Sequence, residues 1–225
     1  MGVYIRVDVQ WWQPWANTLA YLPLNWNAND YSGNGNNWTV YNANWVTENN
    51  RQYIQGTNST NNSWAYVVLP IIPITSECTF SAWVKFNTSN TQYCNIVWCY
   101  YHTDDSKCLS SFTLDSSTWW VNCSNGSWLY NIVGQTSISI WWHLVTVTIK
   151  AWEQKWFLDG VVKWTTGNAT NFAATNTVPF TINRLYNSTV TWWCAVWDFI
   201  LEDKVRTAQE VVDYYDLTKS LYGIS

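Results

Sequence analysis

Charge is scarce in this chain: 12% of its 225 residues are Asp, Glu, Lys or Arg, against about 25% in an average globular sequence. The 11 Lys+Arg and 15 Asp+Glu leave a net charge of −4, and no basic run occurs. The electrostatic footprint on which nucleic-acid and anionic-membrane binding depend is therefore missing. Long apolar runs are missing too. The longest, Tyr66 to Ile74, carries Pro70 and Pro73 and falls well short of the roughly 20 residues of a membrane helix, so it reads as strand and no membrane insertion is expected. The N-terminus has an early Asp8 and lacks an apolar core and a small-residue cleavage pattern, so no signal peptide is visible. Histidine is limited to His102 and His143, and none of the six cysteines forms a CxxC pair, which gives little support for zinc. The cysteines fix no disulfide connectivity, and the simplest reading of them is buried thiols acting as small hydrophobes.

Hydrophobic residues make up 48% of the chain, which excludes a disordered, self-repelling polymer. The length suits one β domain with a sizeable core. Residues 1–17 read as an N-terminal lead-in and 18–225 as the domain. Glycine is the other shortage: nine are present where about 7% usage would give roughly 16. Tryptophan, at 20, is in excess. Such tryptophans can stack on sugar rings, fill a core, or stand where a fold wants glycine. Trp26 and Trp38 bracket a run of turn formers from Asn25 to Asn37, where left-handed backbone angles are common and glycine is the unstrained occupant. Trp152 and Trp164 sit at sites that read as hairpin turns, where the same argument applies.

From Tyr21 onward, short alternating or apolar runs are separated by Asn/Ser/Thr/Gly clusters, the pattern of a many-stranded antiparallel sandwich. Strands are expected at Thr18–Leu22, Tyr66–Leu69, Thr79–Phe86, Asn95–Tyr101, Ser110–Leu114, Trp119–Cys123, His143–Lys150, Lys155–Leu158, Phe180–Ile182 and Ala195–Leu201. Asp159-Gly160 between Trp156-Phe-Leu158 and Val161-Val162 predicts a two-residue hairpin. One helix is expected. Thr207-Ala-Gln-Glu210 is a capping box, Val211, Tyr214, Tyr215 and Leu217 follow at roughly helical spacing, and Gly223 is the stop. Packing on the edge of the sandwich is the expected position of that helix.

Six segments in order resemble the laminin-G-like, concanavalin A-like jelly-roll family. They are Ala20-Tyr-Leu-Pro-Leu-Asn25 with Asn29-Asp-Tyr-Ser-Gly-Asn-Gly35, Phe80-Ser-Ala-Trp-Val-Lys85, Trp142-His-Leu-Val-Thr-Val147, Phe157-Leu-Asp-Gly-Val161, Ala195-Val-Trp-Asp-Phe199 and Arg206-Thr-Ala-Gln-Glu-Val211. The resemblance covers about Leu19 to Tyr215. It implies an all-β fold: a two-sheet antiparallel jelly-roll sandwich with one short C-terminal helix. Against the family pattern, Trp26 and Trp38 fall where glycine is usual, whereas Trp83 falls on a family tryptophan. Two explanations fit: a reassigned stop codon read as glycine in the source and written as tryptophan here, or loops repacked around real tryptophans.

The family also implies one structural Ca²⁺ held by hard oxygen ligands, with Asp30 and Asp198 as the carboxylates. The alternative is that Asp30 makes an Asx turn and Asp198 a surface contact. Sugar binding needs an aromatic platform with convergent polar groups. The richest local cluster supplies Tyr100, Tyr101, His102 and Asp104, with Trp120 on a following strand. A glycoside hydrolase would need two facing carboxylates, and no acidic pair stands at i, i+2 within a predicted strand. His143 at a strand start reads as structural. The expected function is a non-enzymatic, surface-exposed module recognising carbohydrate or a surface protein, with no nucleic-acid partner. The alternatives are a structural fibre or decoration domain of a virion or cell surface that self-assembles, and, as the minor one, a glycosidase. The expected location is extracellular, on a cell surface or virion.

Overall fold

Short runs of β-branched and aromatic residues at period two favour strands. The computed structural model describes residues 15–24, 26–48, 51–55, 66–74, 77–86, 93–99, 110–115, 120–124, 131–133, 141–150, 153–166, 181–182 and 194–224, and fifteen strands lie within them. They are β1 (Thr18–Leu22), β2 (Thr39–Tyr41), β3 (Asn44–Glu48), β4 (Arg51–Gln55), β5 (Tyr66–Val68), β6 (Cys78–Phe86), β7 (Tyr93–Cys99) and β8 (Ser110–Asp115). There follow β9 (Trp120–Ser124), β10 (Asn131–Val133), β11 (Trp142–Lys150), β12 (Glu153–Leu158), β13 (Val161–Thr166), β14 (Thr181–Ile182) and β15 (Cys194–Glu202). Helix α1 (Ala208–Thr218) and a 3-10 turn (Lys219–Tyr222) close the chain.

The strands form two antiparallel sheets. Sheet A runs β13-β12-β11-β6-β15-β4-β3, with β1 also paired to β15, and sheet B runs β10-β9-β8-β7-β14-β5-β2. Between them lies the main core, where Leu22, Ile54, Phe80, Val84, Val147, Trp156, Val196 and Phe199 of sheet A meet Val67 and Ile182 of sheet B. A second apolar layer lies on the opposite face of sheet A. There Tyr21, Tyr53, Trp83, Trp142, Trp197 and Ile200 pack with Tyr214 of α1 and Tyr222 of the 3-10 turn. Central strand β11 is consequently buried on both faces from Leu144 to Ile149. The architecture is helix on sheet on sheet.

The helix therefore covers a sheet face; the expected edge packing is corrected. Its register explains why. Val211, Tyr214 and Thr218 form the buried stripe, whereas Leu217, expected on it, is exposed. The Trp83 indole donates to Thr218 Oγ1 at 3.2 Å, and Thr218 donates back to the Tyr214 carbonyl at 2.7 Å. The capping box is formed as read, with Thr207 Oγ1 accepting from the Glu210 amide and the Glu210 carboxylate accepting from the Thr207 amide. Gly223, at φ 73°, ends the turn. At the β12–β13 hairpin Gly160 has φ 76°, and a Cβ there would stand 3.3 Å from the Val212 backbone of α1, so both angle and space call for glycine.

Trp164 is not at a turn, as its surroundings suggested; it lies inside β13 opposite Trp156, next to a bulge. Trp152 lies outside the described residues. Strands β2, β3, β4 and β10 were not foreseen. The run Tyr66 to Ile74 is strand only as far as Val68; beyond it, an irregular segment containing Pro70 and Pro73 buries Leu69, Ile72 and Ile74.

The connection from β15 to α1 holds a buried ion pair. Arg206 Nε donates to the Glu202 carboxylate, and both side chains are fully buried. The guanidinium is sandwiched between the rings of Trp15 at 3.7 Å and Tyr214 at 4.7 Å. Burial raises the Glu202 carboxyl pKa and lowers that of Arg206, against the mutual attraction that opposes both shifts.

Candidate functional site

The two sheets differ in what their outer faces carry. Sheet A is closed on that side: Tyr222 stacks on Trp83 with ring centroids 4.0 Å apart, and meets Trp197 edge-on at 4.5 Å. On sheet B, Val67 and Ile182 point into the core, so alternation sends Tyr66, Val68 and Thr181 to the opposite face. Val40 likewise packs inward, leaving Thr39 and Tyr41 outward. These outward residues are exposed or half-buried, and among the described residues no helix lies over them.

The face is also distinct in charge. Glu48, Arg51, Lys85, Lys150, Glu153, Lys155, Lys163, Asp198 and Glu202 stand on the strands of sheet A. On the seven strands of sheet B the one charged residue is Asp115. An uncharged face cannot steer ions, but it can hold a neutral ligand without stripping water from charged side chains. At its β2 edge, register places Tyr41 opposite Tyr66, and their rings stack at 4.7 Å with an interplanar angle of 17°. Tyr41 is 43% exposed.

Of the predicted binding residues, Tyr100, Tyr101, His102 and Asp104 lie outside the described residues. Their segment begins directly after β7, and Trp120 opens β9 opposite Asp115, so the flanking strands of this cluster belong to sheet B. The tyrosine pair was not foreseen. Its partners are 25 positions apart and meet only through the β2–β5 register, for which the sequence carries no local signal.

The two predicted metal ligands lie close in topology, since β1 pairs with β15. Asp30 follows β1 and is held by donors. Its Oδ1 accepts from the amides of Tyr21 at 2.9 Å and Ser32 at 2.8 Å, while Oδ2 accepts from the Ser32 hydroxyl at 2.7 Å and the Asn36 amide at 2.8 Å. Four donors occupy the acceptor sites of one carboxylate, which is the Asx-turn arrangement extended to a whole loop. Asp198 sits at a β-bulge with φ 41° and accepts from the Tyr222 hydroxyl. With its acceptor sites so occupied, Asp30 does not fit a cation, which needs free oxygen lone pairs, and among the described residues no cluster of three or more Asp, Glu, His or Cys could hold a metal.

His143 Nδ1 lies 2.7 Å from Asp159 Oδ2, and Asp159 Oδ1 accepts from the Leu144 amide at 2.9 Å. This pair ties β11 to the β12–β13 turn. The tryptophans named here fall into two of the three readings. Trp83, Trp142, Trp156 and Trp197 are core residues, and Trp38 is buried edge-on against Phe199 at 4.7 Å. Trp26 has φ 61° and is 59% exposed, the position where glycine would sit without strain.

No protein-family model matches the chain, and no curated protein matches it in sequence. Solved structures do. The binding domain of Paraclostridial Mosquitocidal Protein 1 superposes with a TM-score of 0.68 at 16% identity, over 89% of this chain and 52% of that one. A botulinum neurotoxin type C structure, described as depending on two ganglioside molecules for entering cells, gives 0.68 at 14% identity over 89% and 51%. A Trypanosoma rangeli sialidase bound to 2,3-difluorosialic acid gives 0.71 at 15% identity over 95% and 35%. The chain thus spans about half the length of the two toxin structures and about a third of the sialidase. At these identities the likeness shows the β-sandwich fold alone.

Proposed function

We propose that this chain is a non-enzymatic surface module of laminin-G-like, concanavalin A-like type that recognises carbohydrate through the outer face of sheet B. The observation that carries the reading is the asymmetry of the sheets: α1 and the 3-10 turn pack on the outer face of sheet A, while on sheet B the outward residues of β2, β5 and β14 offer aromatic and hydroxyl groups without charge. Ring faces and neutral hydrogen-bonding groups are what a sugar meets in a binding site. Toxin binding domains among the structural neighbours, one of them described with gangliosides, support the reading at the level of function class. An extracellular position follows from such a role.

The test is retention of the purified chain on immobilised mixed glycans, with and without a calcium chelator. Saturable retention is expected, and the chelator leaves it unchanged because Asp30 is committed to N–H and O–H donors. Absence of retention on all glycans, together with self-association in light scattering, would replace this reading with that of a structural fibre domain. Release of reducing sugar from a polysaccharide panel would overturn the non-enzymatic assignment.

A further inference from the structure

We infer that the stacked pair Tyr41–Tyr66 is the platform of this face and that its ligand is a neutral sugar ring, not a sialylated or otherwise anionic glycan. The inference rests on the glycan-binding reading and narrows it. Tyr41 and Tyr66 are directly opposed across β2 and β5, and near-parallel stacking at 4.7 Å backs the Tyr41 ring with that of Tyr66, so that the outer ring face of Tyr41 is the one presented at the sheet edge. One ring face of Tyr41 is taken by Tyr66, and the residue is still 43% exposed. A pyranose offers one face of C–H groups that suits such a surface and a rim of hydroxyls that needs hydrogen-bond partners. Thr39 and Thr181 supply hydroxyls on the same face: Thr39 and Thr181 are both in register with Val68, one on each side of it.

The exclusion of acidic sugars follows from charge. Recognition of a carboxylate favours arginine or lysine with paired donors, and β2, β5 and β14 carry neither. On the described strands of sheet B the one charged residue is Asp115 of β8, which likewise offers no cation to a carboxylate. The platform is also independent of the tryptophan question, because neither residue is a tryptophan.

Two variants and two ligands test this. Binding of an immobilised neutral galactose-terminated oligosaccharide and of its sialylated counterpart is measured for the wild type, Tyr41→Ala and Tyr41→Phe, with a melting curve for each. The neutral glycan is expected to bind at least as tightly as the sialylated one. Tyr41→Ala is expected to weaken it by about tenfold, equivalent to about 1.4 kcal/mol, with an almost unchanged melting temperature because the ring is half exposed. Tyr41→Phe, which keeps the ring, retains binding within about twofold. Preference for the sialylated glycan would overturn the ligand class. Undiminished binding by Tyr41→Ala would overturn the platform while leaving the module reading intact. If neither glycan binds but others on the mixed resin do, the ligand class is wrong. If none binds at all, the module reading itself fails.

Discussion

Replacing Trp26 by glycine should make the protein more stable. A bulky L residue in the left-handed region costs about 1–2 kcal/mol relative to ordinary backbone, and Trp26 sits there at φ 61° with its indole largely in solvent. Glycine relieves that strain but adds freedom to the unfolded chain, which takes back about 0.4–1 kcal/mol. The net gain is about 0.5–1 kcal/mol, which for a chain of this length raises the melting temperature by about 1–4 °C. Trp38→Gly is the control, because it deletes the same side chain at a buried site against Phe199 and should cost about 3–5 kcal/mol. Both variants are read by thermal and urea unfolding. A lower melting temperature for Trp26→Gly would refute the strain argument. The same physics separates the two explanations of the tryptophan excess. Under a reassigned codon, peptides from the natural source carry glycine at 26 but tryptophan at 83, where the indole is fully buried and stacked on Tyr222.

Three further predictions concern the base of the helix. Arg206→Ala should cost about 3–5 kcal/mol, because it strands a buried Glu202 carboxylate. The double variant Arg206→Met with Glu202→Leu should cost less than that single change, and a larger loss in urea unfolding would contradict the burial argument. At the helix N-terminus, Thr207→Ala should cost about 1 kcal/mol. The Lys204 ammonium, and next the Thr207 amide, hold the Glu210 carboxyl below its ordinary pKa. A depressed carboxyl contributes stability fully above its unfolded value and loses it as pH falls through the lower folded value. Glu210→Gln should therefore flatten the acid limb of a stability–pH curve, and an unchanged limb would refute the assignment.

The sandwich was legible wherever one local rule decided the structure. Thr18–Leu22 announces itself by its apolar run, the central strands by β-branched residues, the β12–β13 hairpin by Asp159-Gly160, and α1 by Thr207 and Glu210. Strands β2, β3 and β4 were not, because they are short and mix Val, Trp, Tyr and Ile with Asn, Gln, Thr, Glu and Arg, so no sustained apolar alternation marks them even though Tyr53 and Ile54 of β4 are buried. Trp164 looked like a turn residue because Gly167 follows closely, but the β-branched Thr165 and Thr166 between them favour strand, and β13 pairs with β12 through Thr166. The position of α1 was not legible, because Leu144–Ile149 alternates threonine with valine and isoleucine and so reads as a strand with one outward face, whereas Thr146 and Thr148 are buried on the helix side. The candidate site was least legible of all. Charge scarcity was plain in the composition, but its segregation between the two sheets exists only once the strand order is known.

The most direct measurement is hydrogen exchange of the intact chain with and without a saturating neutral glycan selected from the retention assay. Slowed exchange is expected in residues 39–41 and 66–68, on β2 and β5 of sheet B, with the strands of sheet A and α1 unchanged. Protection confined to α1 or to sheet A, or no change anywhere at saturation, would contradict carbohydrate recognition by the open face.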